Sequence, residues 1–254
     1  MKLSIIGAGA MGSAVALGLN DCDSVNKITV ANPHAEKLAP MADAGYTTTT
    51  DNSEAVRDAD LVIIAVKPWI LPGVISEIAT SIPSGAEVCV IVAGVTCADL
   101  AGMFPTPPAN LSIAMPNTAM TVGQSMTFIV EALGKATLAK EVFSHLGQVM
   151  VIEERLLPGA TALASCGIAY AMRYVRAATE GGVELGFRAS EAQKIICQTL
   201  LGAVTLLDEP GAHPESEIDK VTTPGGLTIR GLNAMESAGF TPAVISGLKA
   251  SIKK

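Results

Sequence analysis

The stretch Lys2-Leu-Ser-Ile-Ile-Gly7-Ala8-Gly9-Ala10-Met11-Gly12 decides the fold. Lys2–Ile6 reads as a short β-strand, and Ala10–Leu19 as a helix that opens on the glycines. A G-x-G-x-x-G pattern between a strand and a helix is a phosphate-binding turn: Gly7 permits the tight bend, Gly9 lets a pyrophosphate approach the backbone, and Gly12 lets helix and strand pack closely. The pyrophosphate then meets free N–H groups at the positive end of the helix dipole. The apolar run Leu3–Leu19 has Lys2 as its one preceding basic residue and is interrupted by these glycines, so it is not read as a signal peptide.

Working outward, β-branched runs alternate with Ala-rich amphipathic stretches. Strands are predicted at Lys27–Val30, Tyr46–Thr49, Leu61–Val66, Glu87–Val92, Leu111–Ala114, Met126–Val130 and Val149–Ile152, with a helix over Ala35–Ala44. The near-continuous Val/Ile run of Leu61–Val66 is the pattern of a parallel strand buried on both faces. The expected fold class is α/β, a doubly wound parallel sheet built of right-handed βαβ units. After Pro158 the β-branched runs stop. Thr161–Leu185 and Ser190–Leu207 are expected to be long helices, the first capped by Gly186. Ser216–Lys220, Leu227–Ala238 and Pro242–Ile252 are expected to be shorter ones, the last started by a Thr241-Pro242 cap. This divides the chain into a dinucleotide-binding domain, 1–157, and a helical substrate-binding and dimerisation domain, 158–254. Two long helices with little charge leave apolar surface exposed in a monomer, which dimerisation would cover.

Composition narrows the function. With 17 Lys plus Arg against 24 Asp plus Glu the formal charge is −7, and no basic run suggests nucleic acid or an anionic membrane as partner. Hydrophobic residues reach 49% and aromatics only 4%, so the core is aliphatic. No stretch reaches the ~18 apolar residues of a membrane span. Five cysteines (Cys22, Cys89, Cys97, Cys166, Cys197) form no C-x-x-C pair, and a reducing cytoplasm is expected. His145 and His213 follow no ligand spacing, so no metal site is expected.

The end of the second strand selects the cofactor. Where an NAD enzyme places Asp or Glu to hold the ribose hydroxyls, the chain reads Ala31-Asn32-Pro33-His34, with no carboxylate before Glu36. Asn32 bonds a phosphate without repelling it, and His34 and Lys37 add positive charge, which favours NADP. Two further loops leave strand ends, Ala65-Val66-Lys67-Pro68 and Met115-Pro116-Asn117-Thr118. In the helical half, Thr223-Pro224-Gly225-Gly226 breaks one helix as another begins, leaving N–H groups and the Thr228 hydroxyl near a helix start.

These motifs, with Ala93-Gly94-Val95 and Val221–Ile229, resemble the pyrroline-5-carboxylate reductase family in order and spacing over nearly the whole chain. The resemblance implies a Rossmann domain, a helical domain that interlocks two subunits (a homodimer or a ring of dimers), and reduction of the cyclic imine of glutamate semialdehyde to proline. NADPH is the implied cofactor, with NADH as the alternative. It places Lys67 and Asn117 along the cofactor and Thr228 against the substrate ring nitrogen, with Thr223, Gly225 and Gly226 at its carboxylate. The family's Ser-Gly-Ser-Gly-Pro-Ala-Tyr signature here reads Ala164-Ser165-Cys166-Gly167-Ile168-Ala169-Tyr170, so Cys166 and Gly167 stand where the family approaches substrate, and a thiol is a weaker donor than a hydroxyl. Leu227 also replaces a commonly small or hydroxyl residue. Thr161–Leu185 lacks the lysine that hydroxy-acid dehydrogenases carry on such a helix. The rival functions are reduction of another cyclic imine, a deazaflavin-linked NADP oxidoreductase, and a catalytically weak nucleotide-binding regulator.

Overall fold

The computed structural model describes residues 1–20 and 22–252. Two compact units divide the chain, Met1–Ser165 and Cys166–Lys254. In the first, β1 (Lys2–Ile6), β2 (Lys27–Ala31), β3 (Thr47–Thr49), β4 (Leu61–Ile64), β5 (Glu87–Ile91), β6 (Asn110–Met115), β7 (Ser125–Leu133) and β8 (Gly147–Val151) form one sheet. Their order is β3-β2-β1-β4-β5-β6-β7-β8. The first six run parallel, in registers such as Ile5↔Val30 and Ile5↔Ile63. β7 pairs antiparallel with β6 and parallel with β8, extending the sheet beyond its parallel part. The strand order reverses at β1, and in open α/β sheets ligands collect at the carboxyl ends beside such a reversal.

The helices of this unit are α1 (Ala10–Gly18), α2 (Ala39–Asp43), α3 (Asn52–Val56), α4 (Leu71–Ile78), α5 (Cys97–Gly102), α6 (Thr137–Ser144) and α7 (Leu157–Ala160). Alternate strand residues point to opposite faces. Ile5 and Ile63 therefore join Val15 and Phe143 in one core layer, while Ile6 and Ile64 join Ile75 and Leu111 in the other. Both faces are covered, so the central strands are mostly apolar, with Ser4 of β1 and Ser112 of β6 among the buried polar exceptions. One buried charge ties sheet to helix: the Glu87 carboxylate at the start of β5 accepts the N–H groups of Leu138 (2.9 Å) and Ala139 (2.8 Å) in the first turn of α6. Those donors have no partner within the helix.

A π-helical turn, Thr161–Cys166, leads to α8 (Gly167–Glu184), followed by α9 (Ala189–Leu207), α10 (Pro214–Val221), α11 (Leu227–Ser237) and α12 (Phe240–Ala250). Gly186 closes α8 as expected, with φ +98° and a Schellman pair: Gly186 N–H donates to Val183 O and Phe187 N–H to Gly182 O, each at 3.0 Å. α8 and α9 lie close, since a Cβ on Gly182 would come within 2.7 Å of the Ala192 Cβ. Among the described hydrophobic residues of this unit Ala192 alone is buried, and Leu185 and Leu227 are more than four-fifths exposed.

Three local expectations are corrected. Ala35–Ala44 is not one helix: a 3-10 turn covers Ala35–Lys37, and α2 restarts with Pro40 in its first turn. Proline has no N–H to continue a helix already begun. Thr161–Leu185 is not uniformly α-helical, because its first turn widens to π geometry; Thr161 Oγ1 donates to Leu157 O (2.8 Å) and Ser165 Oγ to Pro116 O (3.0 Å). Thr241 is not the cap of the last helix. Gly239 holds that position at φ +88°, and the Thr241 hydroxyl donates to Glu236 Oε2 at 2.8 Å. Pro242 still falls in the first turn, where its missing N–H is not needed. Among the described residues no helix is long and apolar enough to cross a membrane.

Candidate active site

Pairing continues one residue past the central strands. Gly7 N–H donates to Ala31 O (2.8 Å), Ala65 N–H to Ile6 O (2.8 Å) and Asn32 N–H to Thr49 O (3.2 Å). The turns after β1, β2 and β4 therefore leave from a common edge. A cleft of about 720 Å³ opens there, within the ~300–1,000 Å³ usual for small-molecule sites. Gly7, Gly9, Ala10 and Met11 line it from the first turn, Asn32, Pro33, His34 and Lys37 from the second, and Ala65, Val66, Lys67 and Pro68 from the fourth strand. Ile91–Ala93 and Met115 close the far end.

The three glycines do different work. Gly7 has φ +108°, and a Cβ there would sit 2.6 Å from Ala65 O. A Cβ on Gly12 would overlap Gly7 O, so this residue supports the turn from beneath and does not line the cleft. Gly9 meets nothing within 4 Å. It caps α1 without a side chain, and no acidic residue follows in the first turn. The leading N–H groups of α1 thus face the cleft uncapped, beside the helix dipole, and suit a diphosphate. On these grounds the cleft fits a dinucleotide.

Electrostatics at the β2 end agree. Asn32 Oδ1 accepts the His34 N–H at 3.0 Å, which turns its amide donors the other way. His34 lies 3.6 Å from Glu36 and is largely exposed. Neither Lys37 nor Lys67 pairs with a carboxylate among the described residues. Burial pushes the Cys89 thiol up to about 12. Cys97, raised to about 11 by burial and then by Glu154, is likewise a neutral thiol.

Asn117 follows β6 but is absent from the cleft lining; it is buried, its Oδ1 accepts Ala119 N–H (3.0 Å), and its own N–H donates to Ser125 Oγ (3.2 Å). Thr223, Gly225, Gly226 and Thr228 come together in the helical unit. Gly226 N–H donates to Thr223 O (2.9 Å), Gly225 has φ +69°, and Gly226 caps α11 without a side chain. Thr228 is exposed in the first turn of that helix, and Cys166 and Gly167, both half-buried, stand where the π turn passes into α8. Sequence reading missed Thr50, Asn52 and Glu77, which also line the cleft. For Glu77 a signal existed: Ile70, Gly73, Val74 and Glu77 recur at helical spacing after Pro68.

Residues 154–254 match the family model described as pyrroline-5-carboxylate reductase dimerisation, and residues 2–94 that described as NADP oxidoreductase, coenzyme F420-dependent. Pyrroline-5-carboxylate reductase 1 of Dictyostelium discoideum is 38% identical over 99% of this chain, and the chain spans 49% of that protein's length. The pyrroline-5-carboxylate reductase of a Synechocystis species is 33% identical over 100% of this chain and 97% of its own. Among solved structures, Plasmodium falciparum pyrroline carboxylate reductase with NADP bound aligns with a TM-score of 0.89 at 25% identity, covering 99% of this chain and 95% of that one.

Proposed function

The chain belongs to the pyrroline-5-carboxylate reductase family, and on that premise we infer that it reduces 1-pyrroline-5-carboxylate to L-proline, with NADPH or NADH as cofactor, the last step of proline biosynthesis. One observation carries the reading. The uncapped α1 start opens on a dinucleotide-sized cleft, in a chain whose residues 154–254 match the reductase dimerisation model. The F420-dependent match stops at residue 94, within the nucleotide-binding part, and says nothing about substrate.

The dinucleotide supplies the hydride from its nicotinamide ring. The chain's own work is binding, orientation and exclusion of water. The N–H groups following Gly9 hold the pyrophosphate, and Gly12 keeps that turn in place. Asn32, His34 and Lys37 take the ribose 2′ side, while the Ala65–Pro68 turn, with Lys67, flanks the cofactor. Asn117 acts by shaping the β6 loop. The substrate carboxylate goes to the turn Thr223–Gly226, whose last residue caps α11, and Cys166 and Gly167 border the ring. Thr228 Oγ donates to the ring nitrogen, which draws electrons from the C=N carbon as hydride arrives. As hydride reaches the carbon the ring nitrogen becomes basic and takes its proton through the Thr228 hydroxyl, which water replenishes, so no strong side-chain acid or base is required.

Residues 1–157 serve the cofactor, and residues 158–254 serve the substrate and join subunits in a homodimer or a ring of dimers; the exposed apolar side chains of α8 and α9 supply the contact area. A cytoplasmic location fits five free cysteines. Thr228→Ala tests the assignment: loss of one hydrogen bond formed at the reacting atom lowers turnover by about 10–100-fold, with NADPH affinity unchanged. Unaltered turnover removes Thr228 from the mechanism.

A further inference from the structure

We propose that Ser165 is a positioning residue for hydride transfer: together with Ser125 it clamps the Pro116–Asn117 peptide group, and the clamp fixes the loop at the nicotinamide end of the cleft. The proposal rests on the reductase reading above. Pro116 O accepts the Ser165 hydroxyl at 3.0 Å, and Asn117 N–H donates to Ser125 Oγ at 3.2 Å. The carbonyl and the N–H of one trans peptide group are thus held from opposite sides, by the π turn and by β7. Pro116 and Asn117 are both buried, and among the described residues Pro116 O has no other donor. The proline ring fixes φ at Pro116, and Asn117 is extended, with φ −121°. The soft torsion left is ψ of Pro116, which turns this peptide plane, and the two hydroxyls hold it.

Helical hydroxyls commonly turn back on their own helix. Thr161, Thr179, Thr199 and Thr205 do so, each donating to the carbonyl four residues earlier. Ser165 instead reaches 49 positions back along the chain. The segment that carries it is anchored, with Ala160 and Ala162 buried and Ala164 packed on the second core layer, and widened turns of this kind recur at functional sites. The family signature has glycine where this chain has Ser165, and glycine cannot make the bond. The held loop borders the nicotinamide. A dinucleotide spans both halves of a doubly wound sheet; the turns after β1 and β2 take the phosphates and the first ribose, so the nicotinamide falls on the side of β4, β5 and β6. Met115, the residue before Pro116, lines that end of the cleft with Ile91–Ala93. Clamp, loop and cleft all lie in the first unit.

Stopped-flow absorbance on the whole protein tests the clamp, with enzyme in excess over NADPH, saturating 1-pyrroline-5-carboxylate, and NADPH deuterated at both C4 positions in parallel. Removing the hydroxyl leaves Pro116 O buried without a donor, and the loop shifts to relieve it. Ser165→Ala is expected to slow the hydride-transfer phase about tenfold, a misplacement of less than the ~1 Å that can cost ~10²-fold. NADPH affinity and the KM for the imine are expected to stay near their wild-type values, and the isotope effect to be retained. Ser165→Thr, which keeps the hydroxyl, is expected to recover most of the rate. A merely structural role would instead lower the amplitude, the fraction of molecules that turn over, at an unchanged rate constant, and that result overturns the proposal. So does a slow phase without an isotope effect, or a loss that follows NADPH affinity alone. Melting without ligand checks folding; where Ala fails to fold, Ser165→Gly is expected to show the same slow phase, and a Gly variant at the wild-type rate overturns the proposal. A wild type that binds NADPH and oxidises none of it with this imine contradicts the reductase reading itself, a result distinct from a working wild type whose Ser165→Ala variant keeps its rate.

Discussion

Gly9 and Gly12 stand three residues apart in the same turn, and replacing each by alanine should produce opposite signatures. At Gly12 the added methyl overlaps Gly7 O and comes 3.3 Å from the Ala65 Cβ, so backbone blocks it on one side and the end of β4 on the other. The turn must retreat by about 1 Å, a displacement that by itself can cost about 10²-fold where geometry matters. Overpacking of this kind costs ~1–3 kcal/mol. Taking ~2 kcal/mol, and ~2–4 °C per kcal/mol for a unit of this size, the ligand-free protein should melt about 4–8 °C lower. Gly9 differs. Its φ of −87° and ψ of −173° are ordinary extended values that alanine adopts, and nothing lies within 4 Å of the new methyl. Gly9→Ala should therefore melt like the wild type while its methyl occupies the path of the pyrophosphate. Losing one charge-assisted hydrogen bond, ~1.5–3 kcal/mol, raises the NADPH dissociation constant about 10–100-fold. Scanning calorimetry of the free proteins and fluorescence titration with NADPH separate the two effects. A Gly12→Ala protein that melts with the wild type, or a Gly9→Ala protein that binds NADPH normally, would refute the reasoning.

Two stability predictions concern the first unit. Glu87→Gln leaves the Leu138 or Ala139 N–H facing an amide NH₂ in a buried place, and denaturant unfolding should show a loss of ~1–3 kcal/mol; an unchanged midpoint would mean that α6 does not depend on this cap. The Ala136 N–H, helped by Lys135, holds the Glu131 carboxyl below the usual carboxylate range. A folded-state pKa below the unfolded one gives stability that is present above pH ~4.3 and lost as pH falls through the lower value. Glu131→Gln should flatten the acid limb of a stability-against-pH curve, while an acid limb of wild-type steepness would assign it to other groups, among them Asp58, whose carboxyl Lys2 also lowers.

The parallel part of the sheet was legible because its central strands are buried on both faces and write mostly aliphatic, Val/Ile-rich runs, as in Leu61–Ile64 and, past its first residue, Glu87–Ile91. The phosphate turn was legible for a different reason: Gly7 and Gly12 answer to separate steric demands there, while Gly9 leaves the helix start open. Strand direction was not written in Ser125–Leu133, since a buried run reads alike from either end, and its reversal depends on pairing with β6. The π turn at Thr161–Cys166 escaped because widening one helical turn leaves apolar spacing nearly unchanged. Asn52 and Glu77 escaped as isolated polar residues whose meaning comes from a 2.9 Å contact across 25 positions of sequence.

The most direct test of the account is to follow NADPH absorbance with purified protein and 1-pyrroline-5-carboxylate, and to assay the product, with NADH in parallel. The account predicts rapid, saturable oxidation that yields proline in equal amount, in spite of Cys166 at the start of α8. NADPH that binds without being consumed, with no proline formed, would contradict it.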